Sequence, residues 1–527
     1  MLQGYAVEDV RAAEAQVRGR LPYGELMQRA ARGLAAVVRE RAAERQATGL
    51  VVLAGPGDNG GDALHAAALL AGPLKVTAVG IARDLHARGL AAATRAGVVV
   101  HQVAPDGPLP TLVEDLLSRA DLVLDGLLGI GARPGLRGAM AAALDVVPDT
   151  AYLISVDLPS GVDPAGIRPP GTTSLGDALH GRCVRDAARA EETVTFGMLK
   201  PAHLLPATEP AVGRLTVVDI GVPPGRRPAV ERLEPADAAR LWPVPGARDH
   251  KYTRGVLGVV AGSDTYPGAA VLCTTAAVEA GAGMVRYLGP RRCADLVLAA
   301  CPEVVPGPGR MQAAVVGPGI EPHGCDHPDC DDDQVERVRE AFADQELALV
   351  VDAGALPLLA GWLAAGGRRA APTLLTPHAG ELAQLLSVVV AGQDEPDLPR
   401  GAQAAEHHVT RGQVEAAPVE HARRAAALTG CTVLLKGATT LVVDPDPAVP
   451  VRSQADAPHW LATAGAGDVL AGVAGVLLAG GLDPRDAGSL AAMVHGLAAG
   501  RANPGGPARA LAVARGVPGV VASLLRG

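Results

Sequence analysis

Short apolar runs and helical stretches alternate along most of this chain. Residues 7–46 set Val10, Ala13, Val17, Leu26, Met27, Ala30, Leu34 and Val37 at helical spacing, with Arg and Glu on the other face, the pattern of amphipathic helix. The run 50–54 is apolar throughout and predicts a short strand. It leads into a glycine-rich loop, Gly55-Pro56-Gly57-Asp58-Asn59-Gly60-Gly61-Asp62, and a helix over 63–70. Further strands are predicted at 75–80, 122–125 and 153–157 in the first half, and at 256–261, 314–316, 347–352, 373–375 and 432–435 in the second. The apolar run from Val469 to Ala479 predicts a buried helix. Strands alternating with helices predict two layered α/β domains. The proline-rich passage 221–228 divides them, so the expected organisation is a domain over 1–222, a linker over 223–238 and a domain over 239–527.

Charge and composition narrow the partners. Net charge is −9, with both signs interspersed, which argues against nucleic acid as the main partner. The apolar runs are interrupted by glycine and too short to span a bilayer, so no membrane is expected. Seven cysteines are scattered along the sequence and no signal peptide pattern opens it, so a reducing, cytoplasmic location is expected.

The candidate chemistry sits where apolar runs end. Thr463-Ala464-Gly465-Ala466-Gly467-Asp468 places glycines at the start of the predicted buried helix. A helix N-terminus offers unpaired N–H groups and partial positive charge, and glycines let a phosphate approach closely. Asp468 would repel a phosphate, but it fits a site where it faces a substrate hydroxyl and accepts its proton while the amides hold a transferring phosphoryl group. The competing reading is an Asp that complements the helix dipole. In the first half, Gly55–Gly60 satisfies G-x-G-x-x-G. Pro56, the acids Asp58 and Asp62, and the lack of an acid after the next strand argue against a standard dinucleotide fingerprint. Asn59, Asp125 and Ser160 follow three strand ends and can converge, and these oxygen ligands suit a weakly bound monovalent cation better than zinc. Lys436-Gly437 suits a nucleotide phosphate or a solvated loop. His378 is either a satisfied turn residue or a substrate donor. The segment 322–333, with His323, Cys325, His327 and Cys330, matches no standard zinc module and reads as an acidic surface loop.

Several motifs carry a family resemblance. Ala54 to Asp62, Asp125-Gly126-Leu127-Leu128-Gly129, Val156 to Asp163 and Thr195-Phe196-Gly197-Met198-Leu199-Lys200-Pro201 resemble the YjeF N-terminal family of NAD(P)H-hydrate epimerases. The resemblance implies a Rossmann-like domain with K⁺ at Asn59, Asp125 and Ser160. It implies substrate contacts at Asp58, Asn59, Gly60, Gly61 and Asp62, at Gly129, Ile130, Gly131, Ala132, Arg133, Pro134 and Gly135, and at Asp157, which would also assist proton movement. His250-Lys251, Pro267-Gly268-Ala269-Ala270, Thr376-Pro377-His378-Ala379-Gly380-Glu381 and Gly465 to Gly472 follow in the order of the carbohydrate kinase-like C-terminal YjeF family. Those proteins are ribokinase-like and act as ADP-dependent NAD(P)H-hydrate dehydratases. This implies substrate contacts at Ala269, Gly319, His378 and Asp468. It implies nucleotide contacts at Lys436, Gly437, Ala438, Thr439, Thr440, Gly465, Ala466 and Gly467, with ADP and Mg²⁺.

Together the resemblances imply repair of hydrated NADH and NADPH (NADHX, NADPHX): R and S epimers interconverted by the first domain, and the S form dehydrated by the second, yielding AMP and phosphate. A homo-oligomer is a further expectation. A small-molecule kinase fused to a nucleotide-binding domain is one rival reading, and a nucleotide-binding scaffold or sensor with a degenerate second site is the other. Departures from the family patterns are Asp58 in place of Asn, Ala63 in place of Gly, and Gly354 and Pro357 after Asp352, where acidic residues and Asn are usual. Residues 388–420 read as a polar inserted loop, and 168–189 as an irregular one.

Overall fold

The structure, a computed structural model, describes residues 1–167, 183–184 (backbone only), 187–225, 227–322, 333–391 and 408–526. The His323–Cys330 segment, most of the 168–189 loop and residues 392–407 lie outside the described residues. The chain divides at Val230 and Glu231 into two units, the second also including Met1.

In the first unit the amphipathic pattern of residues 7–46 becomes two helices, Val7–Arg18 and Glu25–Arg45, parted by a turn at Gly24 with φ +84°. A seven-stranded sheet follows, in the order Arg214–Val218, Glu192–Phe196, Tyr152–Val156, Leu122–Gly126, Gly49–Ala54, Lys75–Ile81, Val99–Val103. Every pairing is parallel. Leu34, Val38, Leu64 and Leu70 cover one face, and Val113, Leu117, Ala143 and Leu144 the other. Cover on both faces explains why the central strands read as unbroken apolar runs.

The helix after the first strand spans Asp58–Leu70, five residues earlier than the sequence pattern suggests. Gly57 caps it in an extended conformation, φ −90° and ψ −170°. The loop is therefore only Gly55 to Gly57, and Asn59 and Asp62 project from the helix's first turns. Gly55 is fixed by crowding: a Cβ there would lie 1.8 Å from the Leu127 carbonyl oxygen.

The second unit holds a mostly parallel sheet whose strands run Val451–Gln454, Thr440–Val443, Thr432–Leu435, Thr373–Leu375, Ala348–Val351, Ala313–Val316, Val256–Val260, Met284–Tyr287, Val305–Pro306. The pairings of Thr440–Val443 with its two neighbours are antiparallel. Helix Ala466–Ala479 is buried on all sides, as its unbroken hydrophobicity requires. Its glycines let it pack tightly in two directions. A Cβ on Gly472 would come within 2.4 Å of the Cys273 carbonyl oxygen on helix Pro267–Glu279, and one on Gly475 within 2.5 Å of the Val315 side chain on the sheet.

Two expected loops contain regular structure. Within 223–238, Val230–Arg232 is a strand and Pro235 starts helix Pro235–Leu241, with proline at a first-turn position where no amide is needed. Within 388–420, helix Ala379–Ala391 continues past residue 388, and Arg411–Ala416 and Pro418–Thr429 are helical. The Thr410 side chain accepts from Gln413 N at 3.3 Å, and Gln413 Oε1 accepts from Thr410 N at 2.7 Å, a reciprocal cap that starts the first of these. No helix among the described residues is long and apolar enough to cross a membrane.

Candidate active sites

In the first unit, strand Gly49–Ala54 pairs with Lys75–Ile81 on one side and Leu122–Gly126 on the other. Strand order reverses here, and ligands of open parallel sheets bind outside the carboxyl ends at such a point. Asn59, Asp125 and Ser160 all lie there, tied together through Leu128. Asn59 Nδ2 donates to the carbonyls of Leu128 at 3.2 Å and Val156 at 2.5 Å. Leu128 N donates to Ser160 Oγ at 2.9 Å, and Ser160 Oγ donates to Asp125 Oδ1 at 2.5 Å. Asp125 also accepts from Leu127 N, Ser160 N and Ser155 Oγ. Burial pushes its pKa up despite these donors. Two carbonyls converging on the Asn59 amide, beside a hydroxyl and a single carboxylate, form an oxygen set that fits a monovalent cation.

Asp157 is held through both its backbone and its side chain. Its φ of +66° is left-handed, a conformation costing on the order of 1–3 kcal/mol in a residue with a side chain. Its backbone N donates to Val194 O at 2.7 Å, and its carbonyl meets His203 Nε2 at 2.8 Å. His203 Nδ1 accepts from Lys200 N at 3.0 Å, so Nε2 carries the proton and the ring is neutral. Burial, with Lys200 beside it, lowers the His203 pKa to about 4. The Asp157 side chain takes Thr195 Oγ1 at 2.9 Å and the Lys200 ammonium, both on Oδ1. Burial opposes its charge, but chiefly Lys200, with the Thr195 hydroxyl, outweighs it and holds the carboxyl below its ordinary range.

Two cavities open beside these groups. One, about 450 Å³, is lined by Asp58, Asn59, Asp62, Asp157 and Phe196; the other, about 580 Å³, by Asp58, Asn59, Gly129, Ile130, Gly131 and Ala132. Glu14 lines both. Gly60 and Gly61 line neither: a Cβ on Gly60 would press on the Gly55 carbonyl and one on Gly61 on His86. Arg133, Pro134 and Gly135 also lie outside both linings, and Gly135 N donates to Gly161 O at 2.8 Å.

The sequence pattern did not single out Lys200 or Glu14. Lys200 is 1% exposed, and the available signal was a lone cation inside the otherwise uncharged run Thr195–Pro201. Glu14 lay hidden on the polar face of an ordinary amphipathic helix.

In the second unit, strands Ala348–Val351, Thr373–Leu375 and Thr432–Leu435 are parallel neighbours. Their carboxyl ends carry Asp352, Thr376 and Lys436. Lys436 Nζ lies 2.8 Å from Asp352 Oδ1 and 3.6 Å from Glu381 Oε2. Thr376 Oγ1 donates to the same Asp352 oxygen at 2.8 Å. Burial opposes the charge on Lys436, but Asp352 and Glu381 outweigh it and raise its pKa.

Gly465, left-handed at φ +84°, caps helix Ala466–Ala479. A Cβ on Gly467 would lie 3.5 Å from Lys436 Nζ and 3.9 Å from Asp352 Oδ2, so the helix N-terminus faces this pair across a short gap. Asp468 in the helix's first turn is pushed up to about 7, chiefly by burial, with Asp352 adding and Lys436 opposing. Gly437, Ala438 and Thr439 form the turn after Lys436, and Thr440 Oγ1 donates to Gly437 O at 3.4 Å.

The remaining expected contacts are also placed. His378 Nδ1 accepts from Gly380 N at 3.0 Å and Glu381 N at 3.2 Å, so it caps helix Ala379–Ala391 while its ring stays exposed. A Cβ on Gly319 would come within 2.6 Å of the Ala269 Cβ, so these two adjoin. Gly354 has a packing cause: a Cβ there would lie 1.9 Å from the Ile320 carbonyl oxygen. No group of three acidic, histidine or cysteine side chains among the described residues is arranged to hold a metal. Carboxylates around Lys436 fit Mg²⁺ that keeps waters and binds through nucleotide phosphates, the usual Mg²⁺ habit.

Each α/β unit thus carries one cluster of acidic side chains at the carboxyl ends of its strands, Asp125 and Asp157 in the first and Asp352 in the second. The family model described as YjeF-related protein N-terminus matches residues 24–202, and that described as NAD(P)H-hydrate dehydratase matches residues 257–507. The bifunctional NAD(P)H-hydrate repair enzyme Nnr of Mycobacterium tuberculosis (strain H37Rv) is 41% identical over 498 residues, covering 92% of this chain and 90% of that protein. The Nnr of Mycobacterium leprae is 40% identical, covering 94% and 93%. A solved Bacillus subtilis ADP/ATP-dependent NAD(P)H-hydrate dehydratase, co-crystallized with ATP/Mg²⁺, is similar over 56% of this chain and 99% of that one, at 22% identity and a TM-score of 0.44. The chain belongs to the family of bifunctional NAD(P)H-hydrate repair enzymes.

Proposed function

We propose that this chain returns hydrated NADH and NADPH to use in two steps, one in each unit. The observation carrying the reading is a pair of acids in separate sites: buried Asp157, bonded to the Lys200 ammonium, and half-buried Asp468, in the first turn of helix Ala466–Ala479. The hydrated ring bears a hydroxyl on the carbon bonded to the ring nitrogen. Asp157, kept ionised by Lys200, accepts that hydroxyl's proton, so the ring can open and close on either face and the epimers interconvert. K⁺ would be held by Asn59, Asp125 and Ser160 and would supply charge that fixes the loops bearing them.

In the second unit Asp468 takes the hydroxyl proton of the S epimer, and the freed oxygen attacks the terminal phosphoryl group of ADP. AMP leaves, and the amides of Gly465 to Gly467 face the transferring charge. Lys436 holds the nucleotide phosphates, exchanging its ion pair with Asp352 for them. Mg²⁺ bound with ADP would neutralise phosphate charge. Loss of phosphate from the ring carbon and of a proton from its neighbour restores the double bond of NAD(P)H.

The test is recovery of reduced-nicotinamide absorbance from a racemic hydrate mixture with ADP, Mg²⁺ and K⁺. Full recovery is expected. Recovery that stops near half removes the epimerase from the reading, and no recovery with any adenine nucleotide removes the dehydratase.

A further inference from the structure

The epimerase cavity holds a second buried acid that the mechanism above does not use. Asp62 is 8% exposed, lines the 450 Å³ cavity with Asp157, and has no hydrogen-bond partner for Oδ1 among the described residues. Buried polar atoms are nearly always paired, and an unpaired one beside a cavity calls for a role. Its charged neighbours come from several elements. Glu14 faces it from helix Val7–Arg18, Asp58 lies one turn earlier on its own helix, and Asp157 stands at the strand end. Lys200 opposes the upward push on the Asp62 pKa, and the Lys200 ammonium is engaged by Asp157 and Thr195. Arg18, His65, His86 and Arg88 line the same cavity.

We propose that Asp62 is a second catalytic residue of the epimerase, donating a proton to the ring nitrogen of the hydrate while Asp157 accepts one from its hydroxyl. The proposal rests on the epimerase reading above. Burial and three surrounding carboxyls push the Asp62 pKa well up, so it enters the reaction as an acid, whereas Lys200 keeps Asp157 a base. Two carboxyls in one cavity with pKa values driven apart are the usual acid and base of one reaction. The step balances. Asp157 removes the hydroxyl proton as that oxygen becomes a carbonyl. The carbon–nitrogen bond breaks, its electron pair stays on nitrogen, and nitrogen takes the Asp62 proton. Rotation of the freed aldehyde presents its other face. Nitrogen attacks, both protons return, and only the configuration at carbon has changed.

The test uses the full chain and separated R and S hydrates without ADP, with interconversion followed by chromatography. Asp62→Asn is expected to lower the epimerisation kcat about 10²–10⁴-fold, with KM changed by no more than about threefold. Asp62→Glu, which keeps a transferable proton, should recover part of the loss. Unchanged kcat with raised KM in Asp62→Asn would make Asp62 a binding residue only and overturn the proposal. A wild type that interconverts nothing overturns the epimerase reading itself, whereas an active wild type beside an equally active Asp62→Asn overturns this proposal alone. The wild-type pH profile tests the same point without a variant. An acid is lost as pH rises through its raised pKa, so kcat/KM must fall on the basic side; a profile flat up to the onset of unfolding overturns the assignment.

Discussion

Both units place a lysine beside carboxylates at strand ends, yet the two acids assigned as bases respond oppositely. In the first unit Lys200 bonds to Asp157 itself and holds it below its ordinary pKa. In the second, Lys436 bonds to the neighbour Asp352, and Asp468 keeps a value near 7. Burial alone would push both acids upward. The address of the ammonium decides the outcome. A base paired directly with a cation is always ready but weak, whereas one whose cation is shared outward is stronger and needs a pH near neutrality to be ionised.

The largest effects should come from removing the acids. Asp468→Asn should cut ADP-dependent dehydration about 10²–10⁴-fold while leaving interconversion of R and S hydrates intact. Dehydration near the wild-type rate would end the assignment. Asp157→Asn should do the converse by a similar factor, so recovery from a racemic mixture halts near half. If it also stopped dehydration of pure S hydrate, the picture of two independent sites would be wrong.

Lys200→Met strikes at the comparison directly. Breaking a buried ion pair from one side costs about 3–5 kcal/mol, readable as a lower melting temperature. With the cation gone, the Asp157 pKa should rise, so the acid limb of epimerisation should move to higher pH. A limb that stays put would show that Lys200 only packs.

The smallest effect sharpens the other half. Asp468 must be ionised to act, so kcat/KM for dehydration should fall as pH drops below about 7. Asp352 raises that value, so Asp352→Asn should move the limb to lower pH, by a shift of about one unit or less, on the order of 1.4 kcal/mol. A shift in the opposite direction would mean that loosening Lys436 outweighs removing the charge.

Much of this arrangement was legible in sequence. Apolar runs ending in Asp125, Asp157, Asp352 or Lys436 pointed to strand ends; in the first sheet the runs are unbroken because both its faces are covered. Gly465 to Asp468 likewise marked a helix start. What sequence did not give was partnership across the chain. Lys200 stands 43 residues from Asp157, and nothing local tells a buried ammonium from a solvated one. The early start of the helix at Asp58 escaped because Asn, Gly and Asp are poor helix formers, and there Gly57 and the packing around Gly55 override propensity. The burial of Asp62 follows from that same early start.

Helix Ala466–Ala479 sets a manufacturing tolerance for the dehydratase site. Its glycines seat it against a neighbouring helix and the sheet with no slack for even a methyl group. Gly472 lies six residues past Ala466, about 9 Å along the axis at 1.5 Å per residue. The alignment of the amide end that faces Lys436 and Asp352 is thus gauged from deep inside the core, like the tip of a dowel fixed by notches cut along its shank. A methyl group at either notch would misalign a catalytic centre it never touches.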